Sequence, residues 1–210
     1  MDWSNVRKDT FASSSWDGNV KLVRMRLNAL SSLYNRYSVQ WRPDHPRSVG
    51  TLRAHIGCVY QALFSPHHPD ILGTCSSDGT LKIFDLRVAV AGGFSYTPGS
   101  VPPASFDAPV SLAALTVPAS GMEVLSLDWN KYRPFTLASA GVDKTVKIWD
   151  CRMVKIPPPG APAAQEPVQE VGGVCEIGLS GHEYAVRKVQ WSPHRPDVLA
   201  SASYDMSCRM

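Results

Sequence analysis

The side chains of this chain that could ligate a metal or act as nucleophiles are five cysteines and a few histidines. Cys58, Cys75, Cys151, Cys175 and Cys208 form no Cys-x-x-Cys pair, and no histidine run completes a zinc spacing, so no metal site is expected. An odd set of scattered cysteines reads as free thiols in a reducing compartment. His67-His68 follows Ser65-Pro66, and His194 follows Ser192-Pro193 in a matching segment, which marks turn residues rather than ligands. There is no phosphate-binding Gly-x-x-x-x-Gly-Lys loop, no dinucleotide Gly-x-Gly-x-x-Gly, no Gly-x-Ser-x-Gly elbow and no His-Glu-x-x-His. Neither an enzyme nor a cofactor is expected.

The spacing of the remaining histidines leads to the elements that carry them. His55 and His182 each stand nine residues before an aromatic, Phe64 and Trp191, and that aromatic stands fourteen before an Asp. The aromatic–Asp spacing occurs four times, as Trp3/Asp17, Phe64/Asp78, Trp129/Asp143 and Trp191/Asp205. Each unit has the same local logic. Val189-Gln190-Trp191 alternates like a strand, Ser-Pro-His-x-Pro-Asp breaks it, and Leu199 to Ser203 is a small-residue strand. Asp78-Gly79 is a hairpin signal, and Leu81-Lys82-Ile83-Phe84 alternates again. Units of several short antiparallel strands bury their faces only by stacking on neighbours. The fold class expected is therefore all-β, with sheets arranged as blades around an axis.

These motifs resemble the WD-repeat family, whose signature is carried by Gly181-His182 and Trp149-Asp150. The resemblance implies a propeller of which about four blades of an expected seven are present, so that the chain reads as a fragment. It also implies a buried network of His, strand Ser, hairpin Asp and Trp in each blade. That assigns structural roles to His55 with Asp78, His182 with Asp205, and Asp143 with Trp149. Ser120 occupies the His position of the third unit, so that blade is expected to lack the full network.

Composition agrees with an interaction scaffold. Of 210 residues 44% are hydrophobic and 19% charged, and the net charge of +3 is too small and scattered to call for nucleic acid. No apolar stretch is long enough to insert in a membrane, and no signal for leaving the cytosol is read. The units are placed at residues 1–22 with 41–50, 51–87, 120–152 and 180–210. Residues 23–40 are expected to be an insertion. Its removal places Trp41 six after Asp17 and shortens the Asp17-to-Asp78 spacing from 61 to 43 residues, inside the ~40–45 of such repeats. A retained intron is favoured, since Val23 permits a GT start and Gln40 a CAG end; a surface excursion with a short helix is the alternative. Residues 88–119 and 155–173, rich in Ala, Pro and Gly, are expected to be surface loops between blades.

A closer resemblance lies in the runs HIGCVYQALFSPHHPDILGTCSSDGTLKIFDLR, EVLSLDWNKYRPFTLASAGVDKTVKIWD and GHEYAVRKVQWSPHRPDVLASASYD. They are similar to the fungal receptors for the type-2 peroxisomal targeting signal. This implies a cytoplasmic receptor that shuttles to the peroxisome, at its membrane face or matrix. Its partners would be cargo proteins with an N-terminal helical nonapeptide (Arg-Leu, five residues, His or Gln, then Leu), an import co-receptor and the peroxisomal docking complex. The resemblance also implies an open face built from three positions per blade. Here these are Cys58, Tyr60 and Ser77; Glu123, Leu125 and Val142; and Ala185, Arg187 and Tyr204, with Trp16 matching in the first unit. Glu123 is expected to pair with a cargo cation, and Trp16, Tyr60, Leu125 and Tyr204 to offer apolar contact. Arg187 is left between the co-receptor and a neighbouring blade. Two rivals use the same fold. One is a substrate adaptor of a cullin-RING ligase, from Phe84-Asp85-Leu86-Arg87 and Trp149-Asp150-Cys151-Arg152. The other, a histone-binding propeller, would add an N-terminal helix and an acidic loop.

Overall fold

The computed structural model describes residues 2–4, 10–24, 50–86, 113–152 and 170–210. Among these the chain forms sixteen strands in four sheets. The first sheet holds β1 (Asp2–Trp3), β2 (Thr10–Ser14), β3 (Asn19–Arg24) and β4 (Gly50–Arg53) in that order. The second holds β5 (Val59–Phe64), β6 (Ile71–Ser76), β7 (Thr80–Asp85) and β8 (Leu115–Pro118). The third is built from β9 (Val124–Trp129), β10 (Thr136–Gly141), β11 (Val146–Asp150) and β13 (Val174–Leu179). The fourth holds β14 (Val186–Trp191), β15 (Leu199–Ser203) and β16 (Cys208–Arg209). The remaining strand, β12 (Glu170–Val171), pairs parallel to the outer edge of β8. All other pairings are antiparallel.

Stacking supplies the burial that one sheet cannot. Ala12, Val20 and Leu52 of the first sheet meet Val59, Phe64 and Leu72 of the second. Ile71, Leu81 and Ile83 then meet Leu127, Trp129 and Leu137 of the third. Ala138, Val146 and Ile148 meet Val186, Val189 and Trp191 of the fourth. The middle strands β6 and β10 are buried along almost their whole length, which suits their small residues. A Cβ on Gly73 would lie 3.0 Å from the Trp129 ring, so glycine there lets the indole pack flat on β6. The inner strands are also tied by side chains acting on the next sheet's backbone. Asp2 accepts from Phe64 N–H at 2.8 Å, and Asp128 from Trp191 N–H at 2.7 Å.

Three features differ from expectation. Residues 115–118, inside the segment read as a loop, are β8; Leu115 and Val117 alternate inward and are fully buried. The end of the second expected loop forms β12, where Gly172 N–H donates to Thr116 O at 3.0 Å. A strand added there covers part of an otherwise open edge. Finally, β3 runs through Val23 and Arg24, opposite Phe11 and Thr10. The first two residues of the expected insertion thus occupy ladder positions. Residues 25–40 and Trp41 lie outside the described residues, as do 88–112 and 155–169.

Candidate functional site

The site is assembled at the end of the sheets where the Asp hairpins lie. In the second, third and fourth sheets the same backbone bond closes this end. Ser77 N–H donates to Cys58 O, Val142 N–H to Glu123 O and Tyr204 N–H to Ala185 O, each at 3.0 Å. These bonds bring together two of the three expected positions in each sheet. The third position is placed by a β-bulge. Pairing skips from Val59 to Gln61, from Val124 to Ser126 and from Val186 to Lys188. The extra residues are therefore Tyr60, Leu125 and Arg187. A bulge lifts one residue out of the ladder and re-aims its side chain, so one irregularity, repeated three times, delivers these side chains to the mouth of the inner strands.

The delivered residues differ in fate. Arg187 is exposed, whereas Leu125 is buried and can offer little apolar contact. Tyr60 is half-buried, and its hydroxyl donates to Glu123 Oε2 at 2.6 Å, joining two sheets. That bond to a carboxylate, aided by partial burial, pushes the phenol up to about 12. Tyr60 is thus a polar partner as well as an apolar surface. Ser77 Oγ accepts the Cys58 N–H at 2.8 Å, and Val142 is half-buried. Trp16 (78% exposed) and Tyr204 (61%) project from hairpins. Ser15 O accepts from Val59 N–H at 3.0 Å, which sets the Trp16 hairpin against the start of β5.

Sequence reading missed further apolar groups at this end. Ile56, Met122 and Tyr184 are exposed in the segments leading into the inner strands, and Met206 is fully exposed in the last hairpin. Met206 has φ 62°, where two other hairpins place Gly18 and Gly79 at φ 80°. The legible signal was a large apolar residue at turn positions that ordinarily carry Gly or polar residues. Glu183, also exposed, adds a second carboxylate in the segment after His182.

Below this face lie the His–Asp units. His55 Nδ1 is 2.8 Å from Asp78 Oδ2 and Nε2 is 2.7 Å from Thr74 Oγ1. His182 repeats this with Asp205 at 2.8 Å and Ser201 at 2.8 Å. Both ring nitrogens are occupied in each case. Burial holds the His55 pKa below the ordinary value against the pull of Asp78, so the ring is neutral. Burial pushes Asp78 the other way, but hydrogen bonds from His55 and Thr80 outweigh it and hold the carboxyl well below the usual range. Nδ1–H therefore donates to an ionised Asp78.

The third sheet, lacking the histidine, fills the place differently. Lys147 Nζ donates to Asp143 Oδ2 at 2.8 Å and to Ala119 O at 2.7 Å. Burial raises the Asp143 pKa, but the Lys147 bond and Thr145 N–H overcome it and leave the carboxyl below its ordinary value. Trp149 Nε1 donates to Ser139 Oγ at 2.8 Å. The blade keeps a network with lysine in place of histidine.

The family model described as "WD domain, G-beta repeat" matches residues 46–85, 111–150 and 173–210. The chain belongs to the WD40-repeat family. Its sheets are blades of the WD-repeat propeller, and the first blade lies mostly outside the matched segments. Among curated relatives, the chain is 34% identical over 219 residues to "Peroxisomal targeting signal 2 receptor" of Saccharomyces cerevisiae, covering 100% of this chain and 53% of that protein. The receptor of the same name from Komagataella phaffii is 36% identical over 153 residues, 73% of this chain and 33% of that protein. The one from Schizosaccharomyces pombe is 26% identical over 213 residues, 100% of this chain and 49% of that protein. The chain thus spans about half the length, or less, of the curated relatives it matches.

One feature of the ligase-adaptor rival can be located. Arg152 of the Trp-Asp-x-Arg motif folds back on Asp150, with Nε 2.8 Å from Oδ2. Arg87, its counterpart, lies outside the described residues. Among the described residues no helix is long and apolar enough to cross a membrane.

Proposed function

We propose that this protein binds the N-terminal type-2 peroxisomal targeting signal of matrix proteins and delivers them, with a co-receptor, to the peroxisomal docking complex. The observation that carries the reading is the exposed Glu123 carboxylate bonded by Tyr60, with Trp16, Met122 and Tyr204 exposed at the same end of their own blades. A cationic amphipathic helix needs apolar anchors and an opposing acid, and this face supplies both. The names of the relatives support the same assignment. On this reading Glu123 pairs with the cargo Arg or His, while Trp16 and Tyr204 receive its leucines. Ser77 and Val142 line the rim without a dedicated contact. Arg187 stands beside Tyr60 and is exposed at the same rim. The protein works in the cytoplasm and at the peroxisome without a cofactor. The ligase-adaptor reading is not favoured, because the relatives that match the whole chain are named as targeting-signal receptors.

The test is fluorescence anisotropy with a labelled type-2 nonapeptide, the full-length protein and the co-receptor. Saturable binding is expected, weakened about ten-fold by Glu123→Gln, as for loss of one charge-assisted hydrogen bond. A folded protein that shows no difference between the nonapeptide and its Arg-to-Ala version would overturn the proposal.

A further inference from the structure

Tyr60 enters the face through the bulge in β5 and reaches across to the next blade, where its hydroxyl donates to one oxygen of Glu123. The main chain at Glu123 is fixed too. Its carbonyl accepts from Val142 N–H, and Gly141 packs so closely that a Cβ there would lie 2.2 Å from Glu123 O. Thus both ends of this side chain are held, the backbone by its own blade and Oε2 by the neighbouring one. An exposed glutamate without such a partner samples several rotamers and carboxylate orientations.

We infer that Tyr60 is a positioning residue that fixes the Glu123 carboxylate for a guanidinium and so makes the site select arginine over lysine at the cargo cation. The inference rests on the receptor reading above. A planar guanidinium binds a carboxylate through two parallel N–H groups, which requires the carboxylate plane to be set. A carboxylate accepts about four hydrogen bonds, so the single bond from Tyr60 leaves room for a guanidinium fork. An ammonium is a point charge with rotatable donors and gains little from a fixed plane. Loss of the hydroxyl therefore costs the arginine ligand the ordering of one side chain and costs a lysine ligand almost nothing.

The experiment compares wild type and Tyr60→Phe as full-length protein with co-receptor. Each is titrated by anisotropy with the type-2 nonapeptide and with versions carrying Lys or Ala at the Arg position. Phe keeps the ring, and a thermal melt of each variant checks folding. Tyr60→Phe is expected to weaken the Arg peptide about five-fold while changing the Lys peptide less than about two-fold. In a Glu123→Gln background the same substitution should change neither. An unchanged Arg-to-Lys ratio, in a variant that melts like wild type, overturns the positioning role while the receptor reading stands. Equal weakening of all three peptides also overturns it, because it indicates lost packing. If wild type does not distinguish the Arg from the Ala peptide, the receptor reading falls, and the inference with it.

Discussion

Replacing Lys147 with Met tests whether lysine truly stands in for the missing histidine of the third blade. The ammonium makes two bonds of hydrogen-bond length, to the Asp143 carboxylate and to Ala119 O. Hydrogen bonds involving a charged group contribute roughly 1.5–3 kcal/mol each when buried. Here the two side chains are 26% and 21% exposed, so solvent screens part of that. Methionine recovers the packing of the stem, which leaves a net loss of about 2 kcal/mol. For a protein of this size that lowers Tm by about 4–8 °C. Lys82→Met is the matched control. Lys82 stands at the same place in the second blade but bonds only Ala54 O, while Asp78 keeps His55, so a loss of about 1 kcal/mol or less is expected. The difference must also depend on pH. Asp143 is depressed in the folded protein, so its contribution is complete above the ordinary carboxyl pKa of 3.8 and disappears as pH falls below it. Scanning calorimetry at pH 7 and near pH 3, below the ordinary carboxyl value, at one scan rate, reads both effects. Equal Tm losses for the two variants at pH 7, or a Lys147→Met loss independent of pH, would refute the substitution of lysine for histidine.

Two other outcomes follow from the same geometry. The His55–Asp78 unit should make the protein acid-labile in two stages. His55 has a lowered folded pKa, so stability falls as pH drops below about 6.5, and Asp78, also lowered, adds a further loss below 3.8. Urea midpoints taken from pH 7.5 to 3 should fall below about 6.5 and again below 3.8, and His55→Gln should remove the upper stage; a flat profile between pH 7 and 5 would contradict it. Burial pushes both Cys75 and Cys151 up to about 12, whereas Cys175 and Cys208 are exposed. Brief alkylation at pH 7.5 followed by mass mapping should label Cys175 and Cys208 and spare Cys75 and Cys151 until the protein is unfolded.

The parts of this fold legible in the sequence are those that each blade must satisfy alone. An aromatic ends the inner strand, a tight hairpin follows the middle strand, and the Asp that shapes the hairpin bonds the N–H two residues on, as Asp17, Asp78, Asp143 and Asp205 all do. That local geometry fixes the spacing of fourteen. What depended on neighbouring blades was hidden. β8 is four residues in an Ala- and Pro-rich stretch and exists because β7 offers it an edge. The lysine position recurs as Lys21, Lys82, Lys147 and Arg209, but its role in the third blade arises only because Ser120 leaves Asp143 without a histidine. Candidate face positions could be named through resemblance. That Leu125 is buried and Tyr60 bonds Glu123 required the packing of adjacent sheets.

The division between what repeats and what varies also locates recognition. Hairpin Asp, strand Ser or Thr and the cationic position recur because they hold a blade closed, and changing them costs stability in any propeller of this kind. The bulge recurs as backbone but not as side chain, holding Tyr60, Leu125 and Arg187 in successive blades. A position whose backbone is specified by the fold while its residue is free to change can be tuned for a ligand at little cost to folding. Neighbouring positions behave alike, with Ile56, Met122 and Tyr184 in the entering segments and Met206 in a hairpin site where Gly18 and Gly79 relax the backbone. Met206 continues the series, taking in the fourth hairpin the positive-φ site that Lys144 takes in the third, so this turn position too keeps its backbone while its side chain changes.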